Sequence, residues 1–502
     1  MAKICLCLTG KTLKRNLEIL EKNRKYVDIA ELRVDCLEPD ERFLIRRFPE
    51  MAGLPVILTV RRDIDGGQYV GGEGARISLL SKGLAFAEVD RRRNFAYVDL
   101  EEDLQVPSLE DAARTFGTRI IRSYHNIRGV EENLAGRIRG LSRVGDELVK
   151  VAVMSHSTDD VLQVYRAARE TADLEKILIC MGHYGASTRI LAAHLGSYLS
   201  YTTAAGEPDI PAAAPGQFDP RELVELYRFR SITPQTKVFG VVGYPLKATA
   251  SPGFFNTVFG IENTDAVYVS FPADSIHSFM QLAEEIGLLG VSVTVPYKKE
   301  VLPYLVQKSD DVLAIDACNT LVRNSRGWVG LNTDMPGFTD SLLKFIDRKN
   351  LKGKRSTIIG AGGVARAVAA EIYRLGGKAL ILNRTPIRAR DLASRYHFAW
   401  GSLGGQGIEL MDKYQDIIIQ TTSAGMEPDI DLDPLELYTF SGREMVMDLI
   451  YKPEMTRCLK RAADAGCRIL NGYDMLIRQA QYQYVHFMGR EFPPQLMSRV
   501  KF

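Results

Sequence analysis

Tryptophan occurs only twice and histidine seven times in 502 residues, and no two of the seven cysteines form a C-x-x-C pair. Cys5, Cys7, Cys36, Cys180, Cys318, Cys458 and Cys467 are odd in number and scattered, several inside apolar runs. That speaks against a disulfide framework or a cysteine-built metal site, and for buried, reduced thiols. Neither sign of charge is in excess: 64 Lys+Arg against 62 Asp+Glu leave a formal +2. This gives no electrostatic reason to expect nucleic acid or an anionic membrane as partner, although a few local arginines suffice for small anions. No apolar run approaches membrane-spanning length, and Met1-Ala2-Lys3-Ile4 leads into a strand without signal or transit character. A cytoplasmic location is expected. The 46% hydrophobic and 25% charged content is ordinary for a soluble globular protein. The length exceeds one core and suggests roughly two to four domains.

Short apolar runs alternate with helical patterns through the first half. Strands are predicted near 4–10, 28–35, 54–61, 95–101, 118–126, 148–154, 176–182 and 198–204. Eight such strands in about 225 residues predict an α/β fold with a parallel (β/α)8 TIM barrel, whose active residues sit at strand C-terminal ends. Within 148–154, Val149, Val151 and Val153 share one face, leaving Lys150, Ala152 and Met154 on the other. An enclosed ammonium is costly unless it is paired or sheds its proton. A lysine that sheds it attacks carbonyls through a Schiff base. The plainer alternatives are a lysine that snorkels to solvent or one neutralised by a structural carboxylate.

Unusual residues gather at the other strand ends. Glu31, Arg33 and Asp35 alternate along the second strand, and Arg61 and Arg62 close the third, before Asp63-Ile64-Asp65-Gly66-Gly67. Asp99 and Glu101 end the fourth, His125 the fifth, and Arg189 follows the seventh. Convergence of a lysine, a histidine, carboxylates and arginines predicts a site. His156, His183 and His194 are read as ordinary histidines, as are His277, His397 and His486; Trp328 and Trp400 have no assigned role.

The run E-L-R-x-D, T-x-R with G-G, S-Y-H-N, K-V-A-V-M, S-T-R and A-P-G-Q resembles the type I 3-dehydroquinate dehydratases over nearly the whole first half. The resemblance implies that Lys150 forms the Schiff base and that His125 is the general base and then acid. It also implies that Glu31, Arg33, Arg61, Arg189 and Gln217 bind substrate. Asp65 stands where the family has a glutamate that orients the histidine, and Ala213 where it usually has a serine.

Residues 230–236 read as a short linker, followed by a strand at Lys237–Gly243. Further on, an apolar strand leads into Gly360-Ala361-Gly362-Gly363-Val364-Ala365, a G-x-G-x-x-A turn ahead of a helical pattern. Such glycines let a pyrophosphate approach a helix N-terminus. The next strand ends in Asn383-Arg384-Thr385, with Arg388 one turn on and no carboxylate. Arginines there suit a 2′-phosphate, so NADP is expected over NAD; two solvated surface arginines are the plain alternative.

With V-T-V-P-Y-K, C-N-T, N-T-D, G-A-G-G-x-A-R, N-R-T and G-Y-D-M-L-I-x-Q, the second half resembles shikimate dehydrogenase. This implies a catalytic pair of Lys298 and Asp334. It implies substrate contacts from Thr249, Ser251, Thr294, Asn319, Tyr451 and Gln479. The cofactor would lie on the glycine turn, on Asn383, Arg384, Thr385 and Arg388, and at Gly472. Thr249-Ala250-Ser251-Pro252 replaces the usual S-K-S-P, Ser292 a common asparagine, and Met335-Pro336-Gly337 a more glycine-rich turn.

The expected organisation is a dehydratase barrel at 1–230, a substrate lobe at 237–335 with 470–502, and a Rossmann-type NADP lobe at 336–469. One chain with both halves in this order resembles the fused dehydratase–dehydrogenases, which take 3-dehydroquinate through 3-dehydroshikimate to shikimate. The alternatives are an aldolase-like barrel fused to a quinate dehydrogenase, or a dehydrogenase fused to a weakened, non-catalytic barrel. Small-molecule substrates are the expected partners, with no nucleic acid, membrane or metal; the oligomeric state stays open.

Overall fold

The structure, a computed structural model, describes residues 1–84, 90–142, 145–207, 209–246 and 249–500. It divides into two compact units, Met1–Leu289 with a tail from Ser498, and Gly290–Met497.

In the first unit, β1 (Lys3–Leu8), β2 (Ile29–Arg33), β3 (Val56–Thr59), β4 (Tyr97–Glu101), β5 (Arg119–Asn126), β6 (Leu148–Met154), β7 (Lys176–Met181) and β8 (Leu199–Thr202) form one sheet. The spatial order is β7-β6-β5-β4-β3-β2-β1-β8, with parallel pairing throughout. Tyr198 N donates to Lys176 O at 2.7 Å across the β7–β8 seam, so the sheet is nearly a closed barrel.

Strands β2 to β6 meet two environments along their inward faces. Ile29, Ile57, Tyr97, Ile121, Leu148, Ile177 and Leu199 fill the N-terminal half of the barrel with apolar bulk. Two residues further on, alternation turns Glu31, Thr59, Asp99, Ser123 and Lys150 to the same interior. Two further still come Arg33, Arg61, Glu101 and His125. The apolar layer is the packed plug and the polar layers form the mouth. After the barrel, β9 (Lys237–Gly243) and β10 (Ala266–Pro272) pair in parallel. The barrel helix Thr158–Glu170 packs on the helix Ile276–Ile286. There Asp274 accepts from Thr158 N at 2.8 Å and from its hydroxyl at 2.7 Å.

The second unit opens with β11 (Gly290–Val293), β12 (Leu305–Lys308), β13 (Thr320–Asn324) and β14 (Gly327–Leu331), in the order β11-β13-β14-β12. A second sheet follows: β15 (Arg355–Ile359), β16 (Lys378–Asn383), β17 (Ala399–Ser402), β18 (Ile417–Gln420), β19 (Met445–Asp448) and β20 (Arg468–Leu470). Its parallel order, β17-β16-β15-β18-β19-β20, is the 3-2-1-4-5-6 of a dinucleotide-binding fold. The order reverses between β15 and β18, and the glycine turn follows β15 there. The helix runs Gly363–Arg374, so the glycine turn itself supplies its first residues.

Candidate functional site

The barrel mouth holds a cavity of about 100 Å³ that opens to solvent. Glu31, Arg33, Arg61, Asp65, His125, Lys150, Arg189 and Gln217, all expected on sequence grounds, line it together. Lys150 pairs with Ser123 across β5 and β6, and His125 with Ala152, so lysine and imidazole enter the cleft from adjacent strands one pleat apart.

Lys150 Nζ donates to Asp99 Oδ2 at 2.8 Å, lies 3.9 Å from Glu31 Oε1, and sits 4.5 Å from the centre of the Tyr201 ring. It is therefore turned inward and ion-paired, and the snorkelling alternative does not hold. Burial would raise the Asp99 carboxyl, but Arg61 and Lys150 beside it hold it well below the usual carboxylate range. Burial, reinforced by the charges of Arg61 and Lys150, pushes the His125 imidazole well below its usual value, so it stays neutral. His125 Nδ1 has no hydrogen-bond partner among the described residues.

The arginines divide into two kinds. Arg33 is held by Asp35 at 2.7 Å and 3.0 Å, and Arg61 by Glu101 at 2.6 Å and Asp99 at 2.7 Å. Arg189, by contrast, is 2% exposed and, among the described residues, reaches only the backbone oxygens of Tyr201 and Pro215, at 3.4 Å and 3.2 Å, leaving Nε without a partner. Burial without a carboxylate lowers its guanidinium to about 10. An enclosed cation of this kind is poised to receive a planar anion.

Two expectations need correction in detail. Asp35 does not share the inward face with Glu31 and Arg33. The chain turns after Arg33, and Asp35 accepts from Arg61 N at 3.2 Å and Gln68 N at 3.0 Å as well as from Arg33. Asp65 lines the cleft, but its carboxylate accepts from Arg62 Nε at 2.6 Å and makes no bond to His125. Ala213 also lines the cleft and brings no hydroxyl; its N–H donates to Gln217 Oε1 at 3.1 Å. Sequence reasoning passed over Cys7 and Tyr201. Cys7 Sγ donates to Glu31 at 3.1 Å and accepts from Gln217 at 3.3 Å. Period-two alternation through β1 and β8 is the signal that places both inward.

The second unit holds a separate cluster. Lys298 Nζ donates to Asp334 Oδ2 at 2.5 Å, and Asn319 Nδ2 donates to Asp334 Oδ1 at 2.8 Å. Asn319 is fixed in turn by Thr333 N and the Thr320 hydroxyl, both at 2.8 Å. Thr294 follows β11, half-buried. Tyr451, half-buried after β19, and Gln479, whose amide bonds Leu476 O at 3.1 Å, have no hydrogen bond to this cluster. Ser292, in place of the usual asparagine, donates to Gln483 at 2.8 Å, a contact the sequence did not suggest.

Gly360 has φ +113°, and a Cβ there would lie 2.5 Å from the Thr421 hydroxyl; a Cβ on Gly362 would meet nothing within 4 Å. The Gly360 N–H donates to Leu382 O at 2.7 Å, and the open space beside Gly362 leaves room for an anion at the helix N-terminus. A Cβ on Gly363 would reach Lys298 Cδ at 3.9 Å, which puts the turn beside the Lys298–Asp334 pair. Arg384 and Arg388 are exposed and without partners among the described residues. A Cβ on Gly472 would fall 2.1 Å from Leu449 O, so glycine there permits a close backbone approach. Thr249 and Ser251 belong to the first unit, where the Ser251 N–H donates to the Thr249 hydroxyl at 3.3 Å.

The type I 3-dehydroquinase family matches residues 4–234. The shikimate dehydrogenase substrate binding domain matches 241–321, and the shikimate/quinate 5-dehydrogenase family 343–431. The bifunctional 3-dehydroquinate dehydratase/shikimate dehydrogenase of Arabidopsis thaliana is 30% identical, over 97% of this chain and 82% of that protein. The NADP(+) shikimate dehydrogenase of Shouchella clausii is 34% identical over 53% of this chain and 98% of its own. A crystal structure of shikimate dehydrogenase from Aquifex aeolicus covers 54% of this chain and 98% of its own, at 32% identity and a TM-score of 0.49. With the barrel cleft and the Rossmann turn already in one polypeptide, the family models and the Arabidopsis protein together mean that the chain belongs to the bifunctional 3-dehydroquinate dehydratase/shikimate dehydrogenase family.

Proposed function

We propose that the family's two reactions run at these two sites in turn: 3-dehydroquinate loses water at the barrel mouth, and 3-dehydroshikimate is reduced to shikimate at Lys298 and Asp334. The observation that carries the first assignment is the meeting of Lys150 and a neutral His125 in one cleft with an arginine that has no carboxylate. Arg189 takes the substrate carboxylate, and Glu31, Arg33, Arg61 and Gln217 orient its hydroxyls. Asp99 is too weak a base to free the amine, so Lys150 yields its proton to His125 and adds to the ketone. Overall, an ammonium and a ketone become a protonated imine and water, which returns His125 to its neutral form. The imine draws electrons from the adjacent carbon, whose proton His125 removes and then delivers to the departing hydroxyl; water then hydrolyses the imine, freeing 3-dehydroshikimate and restoring the Lys150 ammonium. Asp65 acts at one remove, holding the loop through Arg62.

In the second reaction Lys298 gives a proton to the reacting oxygen, and Asp334, braced by Asn319, keeps that ammonium in place. NADPH supplies the hydride when bound. The open glycine turn, Gly360 to Ala365, suits its pyrophosphate, Arg384 and Arg388 its 2′-phosphate, and Asn383, Thr385 and Gly472 frame the same lobe. Thr249 and Ser251 serve the substrate carboxylate, and Thr294, Asn319, Tyr451 and Gln479 its hydroxyls, as in the family pattern. Substrate binding is assigned to 237–335 with 470–502 and cofactor binding to 336–469. The seven free thiols suit the reducing cytoplasm.

Separate assays of Lys150→Ala and Lys298→Ala test this reading. Each variant is expected to lose one activity and keep the other; loss of both from a single change contradicts independent sites. A weakened barrel is the second reading, favoured by the missing Asp65–His125 bond and the absent hydroxyl at Ala213. It requires that wild-type protein fail to dehydrate 3-dehydroquinate.

A further inference from the structure

We propose that the Tyr201 hydroxyl is a further catalytic group of the dehydratase, donating its hydrogen bond to the substrate's ketone oxygen while Lys150 adds to the carbon; this rests on the dehydratase reading above. Tyr201 is 4% exposed, lines the cleft, and its hydroxyl has no hydrogen-bond partner among the described residues. A buried hydroxyl left unpaired is costly, and a strand position that needed only an aromatic plug would be filled as well by phenylalanine. The hydroxyl is therefore matched to something that enters the cleft.

Position identifies the matching atom. The Tyr201 ring lies 4.5 Å from Lys150 Nζ. That nitrogen must bond to the ketone carbon, and the ketone oxygen is about 1.2 Å from the carbon. The oxygen consequently falls in the space the tyrosine borders. The other end of the substrate is provided for separately, since Arg189 is anchored on the Tyr201 backbone oxygen at 3.4 Å and offers its free edge to the carboxylate. Burial, with Glu31 nearby, pushes the phenol well above its usual range, so it remains an O–H donor throughout.

The electron count closes without a further reagent. The nitrogen lone pair forms the C–N bond as the carbonyl π pair moves onto oxygen. Tyr201 stabilises that oxygen and keeps its own proton. The two protons lost from the Lys150 ammonium end on the oxygen, which leaves as water while the nitrogen pair closes the imine. A donor aimed at developing oxygen charge in a dry site acts on the rate rather than on binding.

Tyr201→Phe keeps the ring over Lys150 and removes only the hydroxyl. Rapid mixing with 3-dehydroquinate, quenching with borohydride at graded times and weighing the protein gives the rate of imine formation. The expected result is a rate about 10- to 100-fold below wild type, with KM within about threefold and the melting temperature unchanged or higher. An unchanged rate, an effect confined to KM, or a melting temperature lowered by several degrees overturns the proposal. Absence of any adduct in wild-type protein instead overturns the dehydratase reading and the proposal with it.

Discussion

At the scale of single residues, the barrel mouth is set apart by a buried guanidinium without a counter-ion. Among the described residues Arg189 has no carboxylate in its enclosure, whereas Arg33 and Arg61 each have at least one. Replacing Arg189 by Gln is therefore expected to raise KM for 3-dehydroquinate by roughly 100-fold with a smaller effect on kcat, since a charge-assisted, bidentate carboxylate contact is lost. Little change in KM would show that the carboxylate binds elsewhere. His125 gives a second test. Its imidazole is pushed down by burial and by Arg61 and Lys150, and the neutral form is the working base. The acid limb of kcat/KM for dehydration is accordingly expected below the ordinary imidazole value of about 6.5. A limb at or above that value contradicts the burial argument. The sign for stability runs the same way: the unfolded chain takes up this proton more readily, so stability falls as pH drops below about 6.5.

At the scale of elements, much was legible because the periods are clean. The strand predicted at 148–154 and that at 237–243 match their observed bounds, and the other barrel strands differ by one or two residues at their ends. Parallel strands buried on both faces read as continuous apolar runs, so their positions stand out while their frayed ends do not. The pairing of Asp65 with Arg62 and the turn of Asp35 away from the inward face were not legible. Both depend on loop geometry after a strand ends, where period-two alternation no longer applies. Cys7 and Tyr201 escaped notice because each is the kind of residue that also fills an inert core. Buried Asp448 at the end of β19 supplies an element-scale prediction. Burial raises its carboxyl to about 6, with Ile450 N at 3.0 Å and the Thr456 hydroxyl at 2.7 Å accepted by its oxygens. A folded-state value above the unfolded one means stability present below about pH 4 and lost as pH rises through about 6. Asp448→Asn is expected to flatten that decline and to gain on the order of 2 kcal/mol at pH 7. Urea unfolding at pH 4.5 and 7.5 measures it, and an unaltered pH dependence refutes it.

For the whole molecule, the packed barrel and the sheet that opens the second unit each carry their reacting lysine on a framework of their own. Lys150 sits mid-strand in β6, and Lys298 in the turn that follows β11, held by the first residue of the helix Asp334–Ile346. Two complete sites in one chain imply that 3-dehydroquinate and NADPH added together are consumed together. Oxidation of NADPH is expected in wild-type protein and in neither Lys150→Ala nor Lys298→Ala, and it should return when those two variants are mixed. Failure of the mixture to recover activity would mean that the intermediate does not pass through solution. The most direct measurement is borohydride reduction of wild-type protein with 3-dehydroquinate, followed by digestion and mass spectrometry. The expected result is a substrate-derived mass on the peptide containing Lys150, absent from Lys150→Ala; an adduct on another lysine, or none, contradicts the Schiff-base site at the barrel mouth.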